Sequence, residues 1–137
     1  MKLREVMTPA PVTVNSDEPV TAAARAMKEY GIGAVPVLTD GKVAGMLTDR
    51  DIAIRVLAAG RDPRLTRAGD VCSPDPVVLD MDDDTSDAVR VMRDDALRRV
   101  PVTDGGELVG MVSMGDLALT QDETSALAEV SAAPPNV

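Results

Sequence analysis

A hydroxyl and a carboxylate three residues apart, Thr48 and Asp51, recur 65 positions later as Ser113 and Asp116. Both pairs stand where an apolar run ends and a helix-forming run begins. Two chemistries suit that arrangement. The hydroxyl and the carboxylate can cap a helix, satisfying the backbone N–H groups that its first turn leaves unpaired. Those same N–H groups also attract anions, so a phosphate fits the place equally well. Arg98-Arg99 lies just ahead of a Val-Pro-Val run in the second copy, where the first copy has Gly33-Ala34. Adjacent guanidiniums can hold a phosphate bidentately, or stand as solvated charges at the entry to a strand. In the first copy positive charge would have to come from Arg50, beside Asp51. The second copy has Met114-Gly115 where the first has Asp49-Arg50. The second copy is therefore the expected place for a phosphate-bearing ligand.

Other candidates are weaker. The acidic run from Asp80 to Asp87 reads as a divalent-cation site or as a capped, solvated helix start, and the second reading is preferred. Cys72 is either a small packing residue or a reactive thiol, with packing preferred. Gly31-Ile32-Gly33 is not a dinucleotide fingerprint, because it precedes a strand and lacks the third glycine.

Composition removes whole classes of function. The 137 residues include no His, a single Cys, 1% aromatics, and 14 Lys+Arg against 23 Asp+Glu, for a net charge of −9. Without His there is no Ser-His or Cys-His pair, no imidazole base and no imidazole ligand for a metal. One Cys permits neither an intramolecular disulfide nor a cysteine zinc site. An acidic chain without aromatic platforms is a poor match for nucleic acid. No stretch approaches the roughly 20 apolar residues of a membrane span, and MKLREVMTPAPV carries no long apolar run of the secretory kind. We therefore expect a cytoplasmic protein that is not an enzyme and binds neither nucleic acid nor membrane. The 45% apolar share supports a core built from Val, Leu, Ile, Met and Ala.

The elements that must position these residues come from a duplication. Residues 6–52 align with 71–117 without a gap, giving 15 identities in 47 pairs. Each copy opens on a Pro-bounded apolar segment (Val12-Thr13-Val14; Val77-Val78-Leu79). A helix follows, with Asp17 and Asp82–Asp84 near the respective starts. Two strand-like runs then flank a Gly-containing turn: AVPVL and VAGMLT in the first copy, RVPVT and LVGMVS in the second. A closing helix is predicted over about 50–59 and again over about 116–130. The fold class is thus α+β: two β-α-β-β-α repeats packed with pseudo-two-fold symmetry, over 1–60 and 71–130. Residues 61–70 are a connector and 131–137 an expected disordered tail.

At VMTPAPVTV, AVPVL, RRVPVT, GMLTDRDI and GMVSMGDL the chain resembles tandem CBS-domain proteins, the pair known as a Bateman module. GMLTDRDIAIRVLAAGRDP further resembles small stand-alone bacterial CBS proteins of the hypoxic-response type. Some relatives of that type are linked to zinc through His, which is missing here, so no metal is expected. The resemblance implies binding of an adenosyl ligand (AMP, ADP, ATP or S-adenosylmethionine) in clefts between the repeats. It places Thr48 and Ser113 near phosphate and Asp51 and Asp116 on the ribose diol, where a carboxylate can accept from both hydroxyls. It places adenine among Thr13, Val14, Ile32 and Val35 in the first copy, and Val78, Leu79, Leu97 and Val100 in the second. Each of these residues can equally be plain core. Arg98, Arg99 and Arg50 complete the candidate set, with the first copy expected to bind weakly or to take an uncharged adenosyl group.

Ile52, Ala53, Ile54, Val56, Leu57 and Ala58 make the first closing helix apolar around most of its circumference. A homodimer through these helices is the expected cover. Arg55, Arg61, Arg64 and Arg67 form a local basic patch suited to ligand phosphates, a partner or solubility. The expected function is a regulatory module whose adenosyl occupancy signals to a separate protein target, with no cofactor required. The alternative is a dimeric scaffold whose nucleotide sites are vestigial.

Overall fold

Apolar runs around the two Val-Pro-Val cores make strands; an alanine-rich run makes the first crossover helix, and a run with Ala88 and Met92 on its buried face makes the second. The computed structural model describes residues 1–121 and 125–134. A 3-10 turn (Leu3–Glu5) leads to β1 (Thr8–Pro9), β2 (Val14–Asn15), α1 (Val20–Tyr30), β3 (Ala34–Thr39) and β4 (Lys42–Thr48). The short α2 (Asp49–Asp51) continues as a π-helix (Ile52–Leu57), and α3 (Ala68–Val71) and β5 (Ser73–Pro74) complete the first half. The second half holds β6 (Leu79–Asp80), α4 (Thr85–Asp94), β7 (Arg99–Asp104), β8 (Glu107–Ser113), α5 (Met114–Gln121) and α6 (Ala126–Ala132).

Two compact units result: Pro11–Pro76, and Met1–Ala10 together with the chain from Val77 onward. Each contains one four-stranded sheet, ordered β2-β3-β4-β5 in the first and β1-β8-β7-β6 in the second. In both, a helix crosses between two parallel strands, and a hairpin follows. Both residues of each hairpin turn have positive φ, at 51° and 79° for Asp40-Gly41 and 59° and 92° for Gly105-Gly106. That is the two-residue turn whose twist matches paired strands. One face of each sheet is sealed by its crossover helix. Val35, Val37, Leu47 and Val56 expose none of their surface, nor do Val100, Val102 and Val112 in the other unit. Each such side chain contributes about 1.5–3 kcal/mol by leaving water.

The compact units do not follow the repeat boundaries. The opening segment of each repeat packs with the other repeat. Thr8 and Pro9 pair with Met111 and Gly110 along the edge of β8, and Leu3 is fully buried in that core. Ser73 and Pro74 pair in the same way with Met46 and Gly45 of β4. A two-residue strand has too little pairing to stand alone, and an open sheet edge is a ready template for it. Glycine makes the fit possible in both units. A Cβ on Gly45 would lie 2.6 Å from the Cys72 sulfur, and one on Gly110 would lie 2.5 Å from that of Met7. Cys72 is thus the packing residue expected, and burial pushes its thiol pKa up.

The helices differ from expectation in three places. Asp17 does not cap α1: the N-cap is Pro19, with no side-chain bond, and the Val20 N–H donates to the Thr66 carbonyl at 2.8 Å. The strand-like segment ahead of α3 meets that need in place of a side chain. The second closing helix is described as far as Gln121, and Ser125 caps α6 by accepting from the Ala128 N–H at 3.0 Å. Ser131 and Ala132 belong to that helix, while 135–137 of the expected disordered tail lie outside the described residues.

Candidate functional site

Two backbone links bring Arg98, Arg99, Ser113 and Asp116 together in the second unit. The Met114 N–H donates to the Arg98 carbonyl at 2.8 Å, tying the start of α5 to the entry of β7. Arg99 faces Ser113 across the hairpin register. The Ser113 hydroxyl accepts from the Asp116 N–H at 3.0 Å, and Asp116 Oδ2 accepts from the Ser113 N–H at 2.9 Å. Helix capping, one of the two readings open from sequence, is therefore real. It engages one carboxylate oxygen and leaves Oδ1 with no hydrogen bond among the described residues. A cleft of about 310 Å³ is lined by Arg98, Arg99, Ser113 and Asp116, together with Met114, Gly115, Leu119, Leu127 and Ser131. That volume is at the lower end of small-molecule sites. Leu127 and Ser131 were not legible as site residues, because they lie on α6, beyond the aligned stretch 71–117.

The first unit repeats this backbone with different side chains. Thr48 and Asp51 form the same reciprocal cap at 3.1 and 2.9 Å, and the Asp49 N–H donates to the Gly33 carbonyl at 3.0 Å. Here an acid replaces the guanidiniums. Asp49 Oδ2 lies 3.1 Å from where a Cβ on Gly33 would stand, and Asp49 Oδ1 accepts from the Arg50 N–H at 2.8 Å. The Asp51 carboxylate lies 3.8 Å from the Arg55 guanidinium. Arg55 also donates to the Val71 carbonyl at 3.1 Å, and Arg64 pairs with Asp62, so part of the expected basic patch is engaged within the unit.

The expected adenine residues are spread over a range of burial. Val35 and Val100 expose none of their surface and Val14 only 4%, so they belong to the core and can act on a ligand only from behind. Thr13, Ile32, Leu79 and Leu97 are half-buried, and Val78 is exposed.

The acidic run is built as a helix start and an anchor. Asp84 caps α4 by accepting from the Ser86 N–H, and the amino group of Met1 sits 3.1 Å from its other oxygen. Those contacts, the Ser86 N–H first, hold the Asp84 pKa down to about 2. Arg4 and Lys2 pair with Asp82, and the Arg4 hydrogen bond lowers the pKa of that carboxyl as well. No group of three or more His, Cys, Asp or Glu side chains placed to hold a metal occurs among the described residues. Nor is any helix among them long and apolar enough to cross a membrane.

Comparison with known proteins places this geometry. The CBS domain family model matches residues 3–58 and 68–121. The CBS domain-containing protein YhcV of Bacillus subtilis is 40% identical over 119 residues, covering 87% of this chain and 84% of the relative. The crystal structure of Hypoxic Response Protein I with two coordinated zinc ions superposes with a TM-score of 0.80 at 39% identity, covering 86% of this chain and 97% of that one. This chain has no His and a single, buried Cys, so its donor set does not fit such a zinc centre. CBSX2 in complex with AMP shares the fold at 24% identity and a TM-score of 0.73, covering 87% of this chain and 94% of that one. With two matched domains over most of its length and these relatives, the chain belongs to the CBS domain family, as a tandem pair.

Proposed function

We propose that the unit carrying Arg98 and Arg99 binds a phosphate-bearing adenosyl ligand (AMP, ADP or ATP), and that its occupancy regulates a separate protein. One observation carries this reading: Arg98, Arg99, Ser113 and Asp116 surround a single cleft. The two guanidiniums and the Ser113 hydroxyl take phosphate, and the unbonded Asp116 oxygen accepts from the ribose diol. Adenine is assigned to Leu79, Leu97 and Val78, with Val100 behind them, on the family resemblance, since none of these four lines the cleft itself. AMP bound to CBSX2 shows that a protein of this fold holds such a ligand. In the first unit the Asp49 carboxylate repels phosphate. That site binds nucleotide weakly, or takes an adenosyl group without phosphate, including the sulfonium of S-adenosylmethionine.

The module performs no reaction in this reading and acts in the cytoplasm. Ile54 and Leu57, 52% and 64% exposed on the π-helix, form the apolar face through which two copies pair. Thermal-shift titration with AMP, ATP and S-adenosylmethionine tests the ligand assignment. A ligand that binds the native state raises the melting temperature, and the rise with AMP or ATP disappears in Arg98→Ala/Arg99→Ala. No rise with any of the three overturns the assignment. The capping boxes favour a second reading, a scaffold with vestigial sites, because they give Asp51 and Asp116 a purely structural use.

A further inference from the structure

The cleft beside Arg98 and Arg99 has a wall that comes from beyond the aligned stretch of the second copy. Leu127 and Ser131, both on α6, line the cleft together with Arg98, Arg99 and the α5 start. α6 packs along α5 with its Ala128 fully buried, whereas Leu127 remains 41% exposed and Val130 73% exposed. Contact is tight at Gly115. A Cβ there would stand 2.6 Å from the Ser131 hydroxyl oxygen and 3.0 Å from the Ser131 Cβ. Gly115 is helical, where any other residue except proline would serve the helix better. Its lack of a side chain is what lets α6 approach. The π-helix of the first unit keeps Ile54 and Leu57 exposed instead.

From this we infer that α6 is a strap over the nucleotide site: a phosphate held by Arg98 and Arg99 also meets the Ser131 hydroxyl and clamps α6 onto α5. The inference rests on the nucleotide reading above and adds its output. α6 lies close along α5 but buries only Ala128 of its seven residues, so little apolar burial opposes its release. A ligand touching both walls binds the docked form better and shifts the population toward it. By reciprocity, loosening α6 weakens the ligand by the same factor.

Hydrogen exchange of the full chain with and without ATP, beside calorimetry on the same samples, tests this. Saturating ATP is expected to slow exchange over 126–132 about tenfold in the wild-type chain, and not in Arg98→Ala/Arg99→Ala. Ala128→Glu, outside the cleft lining, is expected to release α6 and weaken ATP about tenfold while leaving exchange in β7 and β8 unchanged. ATP binding with unchanged exchange over 126–132 overturns the strap and leaves the nucleotide reading intact. No heat of binding from ATP, ADP or AMP overturns both.

Discussion

Gly33 and Arg98 occupy one backbone position in two units. The carbonyl of each accepts the first N–H of the closing helix, from Asp49 at 3.0 Å and from Met114 at 2.8 Å. Three residues into each helix a carboxylate completes the same reciprocal cap with Thr48 or Ser113. The frame is duplicated; the charge is inverted. Two arginines face the cleft of one unit, and the Asp49 carboxylate crowds the corresponding glycine in the other. Capping demands a hydroxyl and a carboxylate in both copies, because a helix start leaves its N–H groups unpaired wherever it occurs. The cap itself does not constrain the side chains at 34, 49 and 50, or at 98, 99 and 114. Ligand preference is therefore free to diverge there without loss of fold.

The comparison breaks most visibly at the arginines. Arg98→Ala/Arg99→Ala is expected to weaken ATP about 100-fold by calorimetry, as two charge-assisted contacts are lost. The reciprocal graft, Gly33→Arg with Asp49→Met, is expected to raise the calorimetric stoichiometry toward two. An unchanged stoichiometry would show that the charge at these positions does not decide which unit binds.

Similar in size is the anchoring of the exchanged segments. Leu3→Ala is expected to cost about 3 kcal/mol in denaturant unfolding, since Leu3 is fully buried. Ala68→Gly, at the matching position, should cost only about 1 kcal/mol. Equal losses would mean that the two segments contribute alike despite their different volumes.

The caps separate structure from function. Asp51→Ala and Asp116→Ala should each cost about 1 kcal/mol of stability, but only Asp116→Ala should also weaken ATP. If both leave affinity untouched, the scaffold reading gains.

A smaller effect sits at the helix ends. Gly31 and Ala96 occupy matching positions with φ of 63° and 54°, a region that costs an alanine strain. Ala96→Gly should stabilise by about 0.5 kcal/mol and Gly31→Ala destabilise by about 1 kcal/mol, read as shifts in melting temperature.

The smallest contrast concerns acid. Asp84 titrates near 2 in the folded chain against a usual 3.8. A depressed carboxylate contributes stability above its unfolded pKa and loses it as pH falls through the folded one. Protection of α4 amides, corrected for intrinsic exchange, should therefore fall between pH 4 and 2 by more than in α1, whose N-cap Pro19 has nothing to titrate.

Much of this organisation was legible in the chain. The offset of 65 located both hairpins, because strand pairing and turn chemistry are local: Asp40-Gly41 and Gly105-Gly106 need positive φ, and the Val-Pro-Val runs need a buried face. The Thr48–Asp51 and Ser113–Asp116 spacings exposed the caps, since three residues is the reach of a helix's first turn. The convergence of Arg98 and Arg99 on Ser113 and Asp116 could be read from the hairpin register. Asp17 stands near the start of α1 without capping it, because a backbone carbonyl from the segment ahead of α3 takes the Val20 N–H.

By itself, then, the amino-acid order determined the repeat, the strands and helices, the caps and the inverted charge, all of which depend on neighbours within a few residues or on one fixed offset. Tertiary structure alone decided which sheet edge each opening segment would join, and that Ser131 would lie against Gly115 beside the arginines. Such contacts are set by which surfaces remain uncovered once the local elements have formed. That depends on the volume of residues far apart in the chain, such as Leu3, Gly45 and Gly110, and no periodicity records it.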